Sequence, residues 1–357
     1  MTIPCRLQYN TMPRNGNLCI LHLDLYLKML YDNSIYHDKS IFEISKRSER
    51  KIKMSFIAGT GKTNIDILYA GLKRLPQMGE ELYSDGFKLC LGGGVPGTMV
   101  NLGRLNLPVK TATWLGLDMF SDFAANEYRD NRVEITNLYE GGVLPLNITS
   151  AMITPEDRTF VTYGPDAEEN DDTAEKIYEM SKGAKIVEVQ NGYYDVYRKL
   201  KDEGTLLVLD TGYTDDMSFS LYRDLIELCD YYVPNQKEAM KITETASPEE
   251  ALSVLSKYFK NPVVKLDKDG CMGMEDGKAF TVPVIDEYVR VDSTGAGDAF
   301  LAGFMYGLFN DYRFRDCILL GNITGGKCVT GVGCLTEYLT EEELLKKFRE
   351  YKIKFFG

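Results

Sequence analysis

From Met54 onward, short apolar runs alternate with longer stretches whose apolar positions recur at helical spacing. MSFIAGTG predicts a buried strand that ends in a glycine turn. VKTATWLG, KIVEVQ, TLLVLD, DYYVPN and NPVVKLD predict further short strands, with SFSLYRDLIELC and PEEALSVLSKYF as helices between them. The stretch from Gly97, GTMVNLGRLNL, also has helical spacing. Strands alternating with helices imply the α/β class: a mostly parallel central sheet covered on both faces, hence three α/β/α layers. Ligands of such folds sit beyond the C-terminal ends of the strands.

Two stretches break this rhythm. Residues 68–91 and 144–163 pattern as hairpin strands, the second turning around Pro155, Glu156 and Asp157. They predict a small β-sheet lid over the main sheet, with ordinary surface hairpins as the alternative. Residues 1–53 also stand apart. They hold 9 Lys+Arg and 5 Asp+Glu, a net +4 that leaves −16 for residues 54–357. Leu21, Leu23, Leu25 and Leu27 alternate in a weakly strand-like way, but His22 and Asp24 interrupt the apolar run expected of a signal peptide. Residues 1–53 therefore read as an extension outside a main body of residues 54–357, with Met54 as a candidate natural start.

Composition narrows the chemistry. The 357 residues carry a net charge of −12, which argues against a nucleic-acid or acidic-membrane binder, because phosphate-rich partners call for a basic surface. No run of eighteen apolar residues predicts a membrane-spanning helix. The two histidines, His22 and His37, both precede the main body. A general base there has to be Asp, Glu, Lys, Tyr or Cys. The eight cysteines contain no C-x-x-C pair, so they read as reduced core thiols, in keeping with a cytoplasmic protein.

Three glycine motifs remain. GTGKT at 59–63 lacks the first glycine of a P-loop, since Phe56 stands there, and more plausibly aims Asn64 and Asp66. GGGVPG at 92–97 matches a dinucleotide fingerprint but follows a lid strand. It still permits a ligand to approach the backbone closely, with free N–H groups at the helix start. VDSTGAGDAFLAGFMYGL at 291–308 predicts a strand ending near Val291, a turn of small residues, and a helix from about Asp298. Backbone N–H groups of Gly295, Ala296 and Gly297 then converge at a helix N-terminus as an anion hole. Asp298 beside it is either a base for a hydroxyl or a helix cap; spacing alone leaves both readings open.

DSTGAGDAF resembles the C-terminal signature D-T-x-G-A-G-D of the ribokinase-like, or PfkB, family of carbohydrate kinases, with Asp292, Gly295, Ala296, Gly297 and Asp298 matching. The resemblance runs over about residues 54–345. GGGVPGTMVNLGRLNL is similar to the family's N-terminal glycine signature, and NID at 64–66 to the N-x-D of its sugar pocket. PNQKE at 234–238 is similar to the N-x-x-E motif, KLDKDG at 265–270 to the nucleotide turn, and GNITGGKCVTGVG at 321–333 to the stretch near the adenine.

The resemblance implies a ribokinase-like fold with a lid, and transfer of the γ-phosphoryl group of ATP to a sugar hydroxyl. It makes Asp298 the base, with Gly295, Ala296 and Gly297 as the anion hole. Asn64, Asp66, Gly93 and Gly94 would meet the sugar. Asp267, Gly270 and Asn322 would lie near the nucleotide, and Asn235 and Glu238 would organise Mg²⁺ through water. A monovalent-cation requirement and a homodimer through the lid edges are left open. Arg158 reads as a surface turn residue rather than a phosphate contact. Three positions depart from the pattern: Gly97 where the family has Asn, Asp267 where it has Gly, and Ser293 for Thr. A nucleoside kinase of the same fold, or a non-catalytic sugar-binding regulator, are the alternatives. An NAD oxidoreductase is a distant fourth.

Overall fold

The structure is a computed structural model that describes residues 55–142, 144–166 and 169–357. The expected extension, residues 1–53, lies outside the described residues, as does Met54. In chain order, β1 (Ile57–Thr60) leads to β2 (Asn64–Ala70), β3 (Gly86–Leu91) and α1 (Val95–Arg104). Then follow β4 (Val109–Thr113), α2 (Met119–Asp130), β5 (Val133–Asn137), β6 (Asn147–Ile153) and β7 (Arg158–Tyr163). α3 (Asp171–Ser181), β8 (Ile186–Val189), α4 (Tyr194–Asp202), β9 (Leu206–Leu209), α5 (Phe219–Leu228) and β10 (Tyr231–Tyr232) come next. The last third contains α6 (Gln236–Thr243), α7 (Pro248–Leu255), β11 (Val263–Lys265), β12 (Cys271–Glu275) and β13 (Lys278–Val282). It closes with α8 (Ala296–Phe309), α9 (Phe314–Cys328) and α10 (Glu341–Phe356).

Six strands form a parallel sheet in the order β10-β9-β8-β1-β4-β5. Successive side chains of a strand point to opposite faces, and this period divides the core in two. Ile57, Val109, Ile186 and Val208 join a cluster with α1, α8, α9 and α10. Their neighbours Ala58, Ala112, Val187 and Leu207 join a second cluster with α3 to α7. The three layers expected from the sequence are therefore present. The chain builds from β1 outward through β4 and β5, then returns to the other flank with β8. That reversal at β1 is where such sheets open a ligand crevice.

α8 is apolar on nearly all sides because it is buried on nearly all sides. Gly303 lets α9 come close, since a Cβ there would collide with Thr324 and the Leu320 carbonyl. Burying side chains such as Leu301 and Phe304 stabilises the fold by about 1.5–3 kcal/mol each, so the first turn of α8 rests on a rigid support.

Three expectations need correction. β11 is not part of the parallel sheet. It pairs antiparallel with β12 in a separate sheet, β11-β12-β13. The β12–β13 hairpin turns at Asp276 and Gly277, both at positive φ, which is the Asp-Gly hairpin signal. β5 is a strand where none was expected. No strand ends near Val291: this residue is exposed, and its N–H donates to the Val329 carbonyl rather than to a strand neighbour.

The remaining sheet, β3-β2-β6-β7, is the small lid sheet. Its first strand begins at Asn64, not near Leu68, and residues 71–85 contribute no strand. On its inner row Asn64, Asp66 and Leu68 stand opposite Asn147, Thr149 and Ala151. Leu68, Cys90 and Ala151 pack there with Ile153 and Val332. Among the described residues, no helix is long and apolar enough to cross a membrane, and all six cysteines are unpaired and buried.

Candidate active site

Gly92, Gly93 and Gly94 connect β3 to α1, and each meets a different neighbour. A Cβ on Gly92 would collide with the Asn64 amide, and one on Gly93 with Asp298 Oδ2. Gly94 has a φ of 76°, a left-handed conformation that glycine adopts without a steric penalty, and its N–H donates to the Asp298 carboxylate. Three consecutive glycines therefore let a lid strand and the first turn of α8 meet at one backbone turn. Asn64 Nδ2 donates to Asp66 Oδ1 at 2.6 Å, and Thr149 Oγ donates to Asn64 Oδ1 at 3.1 Å. Burial raises the Asp66 pKa against the pull of the Asn64 bond.

The small-residue turn is held by Asp292. Its carboxylate accepts from the Thr294 N–H and hydroxyl and from the Gly333 N–H. Gly295 caps α8 at a φ of 76°. Among the described residues, the N–H groups of Gly295, Gly297 and Asp298 have no acceptor, whereas that of Ala296 donates to the Ser293 carbonyl at 3.2 Å. The unspent donors at this helix start thus belong to residues 295, 297 and 298 rather than to 296. These are the orphan N–H groups of a helix N-terminus, and the helix dipole favours an anion beside them.

Asp298 lies partly buried in the first turn. Burial is the largest influence on it, and Asp210 adds to this; the Gly94 N–H, Lys265 and Cys334 oppose. The balance pushes its pKa up to about 7. Cys334 Sγ lies 3.6 Å from Asp298 Oδ2 as a donor. The family's Asn position, Gly97, sits under this pair: a Cβ there would lie 3.2 Å from Asp298 Oδ2 and 3.3 Å from Cys334 Sγ. Glu188, at the C-terminal part of β8, is also buried. One of its oxygens is 3.5 Å from Thr98 Oγ, and the other has no partner among the described residues. Burial and the charges of Asp210 and Asp298 push its pKa well up.

The other expected residues fall into distinct environments. Asn235 and Glu238 come together as a capping box on α6. Asn235 accepts from the Lys237 and Glu238 N–H groups, and Glu238 accepts from the Asn235 N–H and amide. Burial raises the Glu238 pKa against Lys265. Asp267 has a φ of 57°, so an aspartate occupies the left-handed turn position where the family has glycine. Gly270, with φ of 92°, leaves room for the Val282 carbonyl. Asn322 is different: its buried amide donates to the Val282 and Pro283 carbonyls, both at 2.9 Å, and ties α9 to the end of β13. Its amide donors are thus engaged within the fold. Arg158 is no plain turn residue, because it ion-pairs with Asp292 across from the lid. The 59–63 turn leads into β2 and not into a helix, which removes the P-loop reading.

Sequence reasoning missed Lys265, Asp210 and Cys334. Lys265 closes β11 and pairs with Asp210 at 3.3 Å. Burial works against its charge, but Asp210, Glu238 and Asp298 outweigh burial and hold its pKa above the ordinary lysine value. A charged residue at the C-terminal end of each apolar run, TLLVLD and NPVVKLD, was the available signal.

A model of the pfkB family of carbohydrate kinases matches residues 54–341. The chain is similar to the ribokinase of Lactococcus lactis subsp. lactis, with 24% identity over 312 residues, 85% of this chain and 100% of the relative. The structure of Arabidopsis thaliana ribokinase complexed with ribose and ATP matches at a TM-score of 0.68 and 22% identity, covering 83% of this chain and 99% of that one. The Methanocaldococcus jannaschii nucleoside kinase matches at 0.65 and 18%, covering 84% and 99%.

Proposed function

The chain belongs to the pfkB family of carbohydrate kinases, and we propose that it transfers the γ-phosphoryl group of ATP to a hydroxyl of a sugar or sugar-like substrate. One observation carries this reading. The Asp298 carboxylate touches the Gly94 N–H of the glycine turn while sharing the first turn of α8 with the unspent N–H groups of Gly295 and Gly297. A base and an anion site thus adjoin, as an in-line transfer between a hydroxyl and a phosphoryl group requires.

In this reading Asn64 and Asp66 hold the sugar from the lid, and Gly93 and Gly94 let it lie against the backbone. Asp298 takes the proton of the attacking hydroxyl. The new P–O bond forms to that oxygen as the bond to the ADP oxygen breaks. N–H groups of the α8 turn stabilise charge on the phosphoryl oxygens. Asp267 and Gly270 flank the nucleotide side.

The donor set suits Mg²⁺ held through water rather than in a closed cage. Glu238 and Asn235 offer hard oxygens already engaged in a cap, and the described residues hold no group of three metal-ligating side chains. When bound, the ion neutralises charge on the phosphates.

The deciding experiment incubates the protein with ATP-Mg and a panel of pentoses, hexoses, sugar phosphates and nucleosides, and follows new phosphoesters by ³¹P NMR. A sugar phosphate is the expected product. A nucleoside monophosphate would move the substrate class, and no product from any acceptor would sink the reading. A pair of copies meeting through the lid is part of the proposal. Its outer face exposes Phe87, Val161 and Tyr163, an apolar patch flanked by two strand edges that have no partner among the described residues. Light scattering that finds only monomers removes this part.

A further inference from the structure

We propose that Lys265 is a catalytic residue whose ammonium binds the oxygens of the phosphoryl group in transit. The proposal rests on the kinase reading above. Lys265 is held from both backbone sides: on one its N–H donates to the Pro234 carbonyl at 2.9 Å and it bridges to Asn235, and on the other it pairs with Cys271 of β12. This puts it at the junction of the α6 cap and the α8 turn. Its ammonium lies 3.4 Å from where a Cβ on Gly297 would stand, beside one of the unspent N–H donors.

An ammonium has three donors. Among the described residues, Asp210 Oδ2 is the one hydrogen-bond acceptor for the Lys265 ammonium, at 3.3 Å. With its side chain 12% exposed, the ammonium has donors to spare beyond that single ion pair. A tetrahedral anion at the Gly297 N–H would take them up, because it offers several oxygens and a negative charge at that spot. Lys265 is ion-paired with Asp210 at 3.3 Å, and in this role it acts as a positive charge and not as a proton donor. During transfer, the hydroxyl proton goes to Asp298, the leaving electron pair stays on the ADP oxygen, and Lys265 keeps its protons. Its attraction grows as the phosphoryl group moves toward it from ADP, so it favours the transition state over bound ATP.

The test compares wild type with Lys265→Met, Lys265→Arg and the double variant Lys265→Met/Asp210→Asn, which leaves no lone buried charge. Turnover is measured at saturating ATP and acceptor. Affinity is measured by calorimetry for ADP alone and for ADP with aluminium fluoride, a mimic of the phosphoryl in transit. We expect kcat to fall about 100- to 1,000-fold in both methionine variants, with KM for the acceptor and affinity for ADP changed less than about threefold. The extra tightness that aluminium fluoride gives wild type should be lost, and Lys265→Arg should recover part of it. A double variant that melts like wild type and keeps kcat within threefold overturns the role, as does undiminished binding of the fluoride complex. Should Lys265→Met fail to fold, the double variant and the arginine variant carry the result. No turnover by wild type on any acceptor sinks the kinase reading and this role with it, whereas active wild type with active Lys265 variants sinks this role alone.

Discussion

The lid sheet and the parallel sheet are built from similar strands but solve different problems. The parallel sheet is sandwiched between two large apolar clusters, and its polar residues gather at the strand ends. The lid has a small apolar cluster of its own, and its inner row is mostly polar: Asn64, Asp66, Asn147 and Thr149. Apart from Ile65 and Leu91, which join the large cluster, the lid strands bury few apolar side chains, and low local stability is what a moving element needs. The groups on which we place the reaction, Asp298 and Lys265, stand on the rigid side, where their positions are over-determined by packing. The groups on which we place the acceptor, Asn64 and Asp66, stand on the loose side. Chemistry and recognition are thereby assigned to different parts of the fold, meeting at the glycine turn.

The strongest challenge to that division is Asp298→Asn. It keeps the shape and removes the base, so kcat should fall by about 10²- to 10⁴-fold, while acceptor affinity measured by calorimetry stays within a few-fold. A variant whose turnover survives would take the base away from the rigid side altogether. Next in size are the lid substitutions Asn64→Ala and Asp66→Asn. Each should raise the acceptor KM by about ten- to a hundredfold, the effect of losing a hydrogen bond that involves a charged or buried partner. The melting temperature should hold. A loss of kcat with KM unchanged would show that the lid takes part in the chemical step.

A pH study sharpens the same point. With Asp298 titrating at about 7, kcat/KM should fall about tenfold per unit as pH drops below that value, and the Asp298→Asn variant should lose the dependence. Stability should move the other way. The folded carboxyl binds its proton more tightly than the unfolded one, whose ordinary value is 3.8. This group therefore favours folding at low pH and opposes it as pH rises from about 4 to 7. Asp298→Asn should melt higher than wild type at pH 8, and the gap should shrink toward pH 5. Equal melting curves at both values would mean that the carboxylate is well solvated.

How much of this was legible in the sequence depends on the range of the interaction. The DSTGAGD turn and the glycine turn are local patterns whose backbone conformations follow from residue type, whereas the lid strands were legible only coarsely, the first of them beginning at Asn64 rather than near Leu68. Gly93 illustrates the limit. Its sequence neighbours predict a tight turn, but not that the bare α-carbon leaves room for Asp298. Lys265 and Asp210 are 55 positions apart and stand at the ends of two strands in different sheets, so neither apolar run announces its partner. Arg158 went astray for the same reason, since the carboxylate of Asp292 is brought to it only by the tertiary fold, as the carbonyls of Val282 and Pro283 are brought to Asn322. β5 was missed because VEITN is partly exposed at the sheet edge and lacks the apolar run that marks a central strand.

The smallest predicted effect is the one most specific to the comparison. Leu68 and Leu301 are both buried leucines, one in the lid and one in α8. Leu301→Ala removes packing from the cluster that supports the reaction side and should destabilise the whole protein by about 2–5 kcal/mol. Leu68→Ala removes it from a cluster of a few residues that can relax, so global unfolding should change by about 1 kcal/mol or less. The effect should appear locally instead, as faster amide exchange in β2 and β6 and a modest rise in acceptor KM, because opening of the lid is favoured over its closed form. Equal losses of global stability from the two changes would mean that the lid folds as part of the core, and the physical basis for separating recognition from chemistry would be gone.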